Sequence, residues 1–230
     1  MPYADLAGRL DEVRGQIAAR ARAGGWTHAV RVVAVTKTHG VEAVRAAARV
    51  GLPDVGENRV QEALAKQAAC AMPELRWHLI GPLQRRKCRQ VVGRFAMIHS
   101  LDRVELAVAL AAQSELGAAH AVLVQVNCSG EPQKSGVMPD ALPLLLDRLR
   151  AIPAVAVRGL MTMAAFGADE TTLHRTFGHL RRLRDQGVSA GHDLPELSMG
   201  MSDDFEVAVE EGATMLRLGT RLFGPRTTGP

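Results

Sequence analysis

The sequence predicts a single-domain α/β fold, a (β/α)8 barrel preceded by an N-terminal helix, with the domain spanning residues 1–230. Short apolar runs of strand length alternate with helical patterns along the whole chain, the rhythm of parallel βαβ units. The length of 230 residues falls within the roughly 200–250 that eight such units occupy in a closed barrel. No linker, low-complexity tract or change of composition marks a second domain. A doubly wound open sheet is the alternative that the same alternation allows.

The elements follow in order. Residues 2–22 place Leu6, Leu10, Val13 and Ile17 at helical spacing, with Pro2 suited to a first turn and Gly24-Gly25 to a stop. Val32-Val33-Ala34-Val35 then runs into Thr36 and Lys37. A continuous apolar run of this kind reads as a strand, here 31–36, buried on both faces. Val41, Val44 and Ala48 mark a helix over 41–50, and a short strand near 53–56 leads through Gly56-Glu57-Asn58 to a helix over 58–69. Leu75 to Ile80 is a strand closed by Gly81-Pro82, followed by a helix over 84–92; Ala96 to His99 is a strand, followed by a helix over 102–116. His120 to Asn127 is a long apolar strand, after which a loop carries Lys134-Ser135-Gly136 into a helix over 139–150. Ala154 to Met161 and Leu194 to Ser198 are strands, each followed by a helix, over 170–186 and 203–211. Thr214 to Leu218 is the last strand, with Gly219-Thr220 and a short turn after it.

Composition narrows the function. Lysine and arginine total 28 against 24 acidic residues, a net of +4, which lacks the concentrated basic face of a nucleic-acid binder. It suits a small anionic ligand. The basic run Gln84-Arg85-Arg86-Lys87-Cys88-Arg89 has no interleaved aromatics and reads as a solvated face. Cys70, Cys88 and Cys128 form no CxxC pair, which points to a reducing cytoplasm. The first residues lack a basic region followed by an apolar one, so no signal peptide is expected, and no apolar run has bilayer length. Without secretion, the sequon Asn127-Cys128-Ser129 carries no meaning. The histidines show no helical i, i+4 metal pair, and Walker, GxGxxG and GxSxG motifs are missing from the sequence.

In a barrel, residues just past the strand ends converge on one face. Here these are Lys37, Gly56-Glu57-Asn58, Gly81-Pro82, Ser100, Asn127, Met161-Thr162-Met163, Ser198 to Ser202 and Gly219-Thr220. The set is rich in glycine, hydroxyls and amides and poor in paired carboxylates. A strand-end lysine with apolar walls loses its proton more easily than a solvated one, and a neutral amine attacks aldehydes. Lys37 fits that role, or it snorkels to solvent. Gly219-Thr220 and Ser202 follow the last two strands, where barrels commonly bind phosphate. Ser202 equally fits the N-cap of a helix starting at Asp203, and Asp203 and Asp204 oppose a dianion unless they turn away. Arg217 lies between Leu216 and Leu218; pointing inward it is a buried cation that needs a partner, and pointing outward it touches a helix.

Seven stretches then fall in one order: Val35-Thr36-Lys37-Thr38, Gly56-Glu57-Asn58-Arg59-Val60-Gln61-Glu62, Trp77-His78-Leu79-Ile80-Gly81-Pro82-Leu83-Gln84, Lys134-Ser135-Gly136, Arg158-Gly159-Leu160-Met161, Leu197-Ser198-Met199-Gly200-Met201-Ser202-Asp203-Asp204 and Arg217-Leu218-Gly219-Thr220. Together they resemble the motifs of the pyridoxal phosphate homeostasis proteins, the YggS/PROSC group, over nearly the whole chain. The resemblance implies the barrel of the alanine racemase N-terminal domain. It implies that Lys37 holds pyridoxal 5'-phosphate (PLP) as a Schiff base and that Ser202 and the backbone at Gly219 and Thr220 hold its phosphate. It also implies that Arg217 faces the pyridine nitrogen and that Asn58 lies near the cofactor. An arginine there keeps that nitrogen unprotonated, which weakens the ring as an electron sink. Departures from the family pattern, His39-Gly40, Arg59, Arg85-Arg86 and Arg221, remove none of these residues.

The function so implied is a PLP carrier acting in cofactor homeostasis, not an enzyme, with PLP and apo PLP-dependent enzymes as partners, no nucleic acid or membrane, and a monomeric form. The alternative is a fold-type III amino-acid racemase or decarboxylase. Racemases of this type add a C-terminal β-domain and take a second proton carrier from a partner subunit's tyrosine, whereas this chain ends shortly after its last strand and its single tyrosine is Tyr3. A ligand-free structural barrel is the third reading.

Overall fold

The computed structural model describes residues 3–114, 119–131 and 133–225. Among them, parallel strands β1 (Arg31–Val35), β2 (Asp54–Glu57), β3 (Arg76–Leu79), β4 (Met97–Leu101), β5 (His120–Gln125), β6 (Val155–Met161), β7 (Glu196–Ser198) and β8 (Met215–Leu218) pair in sequence order. β8 then pairs with β1, so the sheet closes and the open doubly wound alternative is excluded. Helices α1 (Leu6–Ala23), α2 (Val41–Arg49), α3 (Val60–Cys70), α4 (Cys88–Val91), α5 (Val104–Ala111), α6 (Leu142–Arg150), α7 (Glu170–Ser189), α8 (Phe205–Glu210) and α9 (Thr220–Phe223) surround it.

Strand alternation divides the core in two. Val33, Met97, Leu123, Met161 and Met215 point into the barrel and pack together there. Their neighbours Val32, Ala34, Val122, Leu160 and Leu216 point outward and meet the helices. The helices answer with one apolar face each. α6 buries Leu142, Leu145, Leu146 and Leu149 at the i, i+3, i+4, i+7 spacing of a helix stripe. α2 buries Ala43, Val44, Ala46 and Ala47, and these small side chains let its backbone approach the sheet closely. Each fully buried leucine or valine contributes about 1.5–3 kcal/mol of transfer free energy.

Several boundaries differ from the sequence expectation, each for a local reason. Asn58 and Arg59 stay outside α3, Arg59 being extended at φ −120° and ψ 128°. The expected helix over 84–92 breaks into a 3-10 turn, Arg85–Lys87, and the short α4, because its run of cations offers only Cys88 and Val91 for burial. Arg85, Arg86 and Arg89 are exposed, the solvated face expected of them. α5 ends at Ala111, short of the helix expected over 102–116, whose last residues, like Pro2, lie outside the described residues. The helix expected from Asp203 starts at Phe205.

Gly159 shows how tightly β6 and β7 are joined. The β5–β6 register shifts beside it, its φ is +151°, and a Cβ there would stand 1.9 Å from Glu196 O. No side chain fits without moving β7. Gly159→Ala is expected to lower stability by more than about 2 kcal/mol, read as a shift of the urea midpoint.

Candidate functional site at the carboxyl ends of the strands

The mouth is built on β1. Thr36 continues that strand, its N–H donating to Gly56 O at 3.1 Å. Lys37 follows in the turn that leaves β1 at the carboxyl end of the barrel. Lys37 is half-buried at the rim.

The backbone on both sides of Lys37 is held from α3. Lys66 Nζ donates to Thr36 O at 2.8 Å, to Glu57 Oε1 at 2.7 Å and to Glu62 Oε1 at 2.8 Å. Thr36 Oγ1 donates to Glu57 Oε1 at 2.5 Å, and Glu62 Oε1 accepts the Thr38 N–H at 2.8 Å. Thr38 itself takes a left-handed turn, φ 68°, and the His39 N–H returns to Thr36 O at 3.0 Å. A lysine rooted between two pinned peptides presents its amine from a fixed point. Glu57 and Lys66 are themselves buried, and burial pushes the Glu57 carboxyl above its usual range despite the Lys66 and Thr36 hydrogen bonds.

β7 and β8 supply the facing wall. Arg217 points inward and is buried; Nη1 donates to Ser198 Oγ at 2.6 Å and Nη2 to Thr162 O at 2.9 Å. This settles the direction that sequence left open. Burial lowers its pKa to about 10, against the opposing pull of Asp204, so the guanidinium remains charged at neutral pH. Gly219 follows β8, and a Cβ on it would lie 3.4 Å from Val35 O, which puts this turn against the end of β1.

Ser202 corrects the sequence reading. It does not cap its own helix, because α8 begins two residues beyond Asp203 and its N-cap position is Asp204. Instead Ser202 Oγ accepts the N–H groups of Gly219 and Arg221, at 3.2 and 3.1 Å, on the turn after β8. Asp204 turns back, its Oδ1 accepting the Met201 N–H at 2.5 Å. Asp203 and Asp204 line a cavity of about 490 Å³ on the β6–β7 side of the mouth, with Lys134, Met163, Phe166 and Leu173. Lys37 lies outside that cavity's wall.

The remaining expected residues are arranged around these. Asn58 follows β2, half-buried, with Gly81 so close that a Cβ there would stand 2.3 Å from Asn58 O. Thr220 is exposed at the start of α9. Ser100 Oγ donates to Gly81 O, and Asn127 holds its own loop through Glu131 O and Lys134 O. β7, β8, β1 and β2 are consecutive around the barrel, so Lys37, Asn58, Ser202, Arg217 and Gly219 share one side of the mouth. Sequence reading missed the supports: Glu57 with Lys66, and Ser198 as the partner of Arg217. Alternation held the signal, since Glu57 and Thr36 share the outward parity and Ser198 ends an inward column. Among the described residues, no cluster of His, Cys, Asp or Glu could hold a metal, and no helix is long and apolar enough to cross a membrane.

Comparison with known proteins agrees with this geometry. Residues 10–227 match the family model for the alanine racemase N-terminal domain. A protein of Pseudomonas aeruginosa named pyridoxal phosphate homeostasis protein is 42% identical over 226 residues, 97% of each chain. The chain belongs to the pyridoxal phosphate homeostasis protein family. PipY of Synechococcus elongatus PCC7942, solved with PLP bound, superposes with a TM-score of 0.82 and 38% identity, covering 95% of this chain and all of that one. An alanine racemase from Corynebacterium glutamicum shares the fold at a TM-score of 0.71 and 18% identity, with this chain covering 61% of it. Membership in the family thus agrees with the sequence resemblance and with the closed barrel.

The α3 support of Lys37 is open to test. In Lys66→Met the Glu57 carboxyl loses its cation, and its pKa rises further. A carboxyl with a raised folded pKa stabilises the native state at low pH and loses that contribution as pH climbs from its ordinary value of 4.5 through the raised one. The variant is therefore expected to lose about 3–5 kcal/mol at pH 8 and clearly less at pH 5, measured by urea unfolding at the two values.

Proposed function

We propose that this protein binds pyridoxal 5'-phosphate, holds it covalently through Lys37, and serves to buffer or deliver it to apo-enzymes in the cytoplasm. The observation that carries the reading is the group at the mouth: a strand-end lysine, the Ser202 hydroxyl held on the turn after β8 by the Gly219 and Arg221 N–H groups, and a buried guanidinium, on adjoining strands. An aldehyde, a phosphate and a ring nitrogen are the three groups such a set complements. PipY, 38% identical and solved with PLP bound, supports the same choice.

When bound, the cofactor supplies an aldehyde carbon and an electron-withdrawing ring. The chain's own residues decide how far that ring is used. Lys37 provides the amine. Ser202, Gly219 and Thr220 hold the phosphate, and Asn58 closes the β2 side. Arg217 carries donors only and stays charged, so it offers the ring nitrogen a hydrogen bond without protonating it. Racemisation further needs two positioned proton carriers. The single tyrosine, Tyr3, has its hydroxyl taken up by the imidazole of His39, Oη lying 3.0 Å from Nδ1. These features favour a carrier over a racemase or decarboxylase. Free Cys70, Cys88 and Cys128 accord with a reducing compartment, with burial raising the Cys128 thiol to about 11.

Loaded wild-type protein is expected to be yellow, and Lys37→Ala colourless after the same loading and dialysis. A wild type that takes up no cofactor would overturn the assignment. Incubation with individual amino acids is expected to give no sustained racemisation, followed by chiral chromatography, while mixing with an apo PLP-dependent enzyme restores that enzyme's activity. Steady turnover of any amino acid would favour the enzyme reading instead.

A further inference from the structure

A column of buried polar side chains crosses the barrel interior below the mouth. It starts at Asp54, the first residue of β2, at the amino end of the barrel. Asp54 is buried and receives Arg76 twice, Nε on Oδ1 at 2.7 Å and Nη2 on Oδ2 at 2.5 Å. His78 Nε2 lies 2.8 Å from Asp54 Oδ1, and His78 Nδ1 lies 2.9 Å from His99 Nε2. His99 Nδ1 lies 3.0 Å from Ser198 Oγ, which accepts Arg217 Nη1 at 2.6 Å. The residues come from β2, β3, β4, β7 and β8 and climb toward the mouth.

The two ends fix every proton between them. Arg217 has donors only, and an ionised Asp54 has acceptors only. Burial opposes the Asp54 charge, but the Arg76 and His78 hydrogen bonds outweigh it and hold its pKa well below the usual range. One neutral arrangement fills each link. The Ser198 hydroxyl donates to His99 Nδ1, His99 Nε2–H donates to His78 Nδ1, and His78 Nε2–H donates to Asp54 Oδ1. Reversing the links turns a bare His78 Nε2 toward a carboxylate, or else adds a proton and a second cation to a closed interior. Burial above all, with the positive charges of Arg217 and Arg31 beside it, drives the His99 pKa well below its ordinary value and keeps that imidazole neutral.

We propose that Asp54, His78, His99 and Ser198 are positioning residues that form a one-directional hydrogen-bond chain, aligning Arg217 at the mouth from an anchor at the opposite end of the barrel. The proposal deepens the cofactor reading, and its ligand-facing half rests on that reading. The anchor is open to the outside. Asp54 and Arg76 border a cleft of about 370 Å³ on the amino-terminal face, with Arg14, His28 and Arg31, so a change there reaches the cofactor's ring nitrogen without touching the mouth.

The test begins on the full chain without cofactor. Long-range 15N–1H NMR at pH 7 is expected to show His78 and His99 both neutral, protonated at Nε2, with Nδ1 accepting. A doubly protonated ring, or a proton on Nδ1 of either, overturns the chain and leaves cofactor binding untouched. Ser198→Ala is expected to shift the His99 and His78 ring nitrogens together, whereas Ser198→Thr retains the wild-type pattern. On loading with PLP, Ser198→Ala and Asp54→Asn are each expected to bind about tenfold more weakly and to move the visible absorbance maximum. Variants that only lose thermal stability, with tautomers and absorbance unchanged, would reduce the column to structural packing. If no variant or wild type binds PLP, the cofactor reading fails while the tautomer result still decides the chain.

Discussion

The pairing of the first strand with the last is the constraint on which the site depends. Val33 lies opposite Arg217 and Ala34 opposite Leu218, so the same register that closes the barrel brings the Lys37 turn against the Gly219 turn. In an open sheet these two ends would stand on opposite edges. A slip of β8 by one residue would turn Arg217 outward, because strand faces alternate with a period of two. Closure and function are thus one requirement on the sequence.

Around that seam the barrel divides its polar groups by parity. Outward, Glu57, Thr36 and Lys66 form a charged knot between sheet and helix layer that fixes the peptide carrying Lys37. Inward, the line from Asp54 to Arg217 replaces part of an apolar interior otherwise filled by Val33, Met97, Leu123, Met161 and Met215. Buried charge costs more than it returns unless paired. In both places the charges are matched, Lys66 by two carboxylates and Asp54 by Arg76, while Arg217 donates to neutral oxygens and stays a cation that can still be shared with a ligand. Glu57 Oε2 alone among its oxygens has no hydrogen-bond partner, in line with the upward push on that carboxyl.

The architecture was legible because a parallel strand buried on both faces leaves an apolar run of strand length, clearest at Val32–Val35 and Ala121–Val124, while the short β2 and β7, Asp54–Glu57 and Glu196–Ser198, were legible from their place in the alternation with helices. Lys37 and the Gly219 turn were legible for the same reason, since they are the polar residues at which those runs stop. The interior column was not, although apolar-His-apolar at Trp77-His78-Leu79 obeys the alternation that flagged Arg217. A histidine scanned only for helical metal spacing is invisible as a strand's inward residue. The capping alternative for Ser202 fails because capping is a local rule, whereas its hydroxyl serves N–H groups 17 and 19 residues away in sequence. Such long-range satisfaction is written in the tertiary fold and has no local pattern.

The adjacency of β1 and β8 also has a meaning for biosynthesis. α1 packs on α8 and α9, Arg20 pairs with Glu206 and Glu210, and Arg9 reaches Leu222 O, so the earliest-made helix seals the latest-made turns. On the ribosome, Lys37 emerges long before the turn it faces. A nascent chain therefore has no closed barrel, and the mouth takes shape only when translation has delivered the eighth strand.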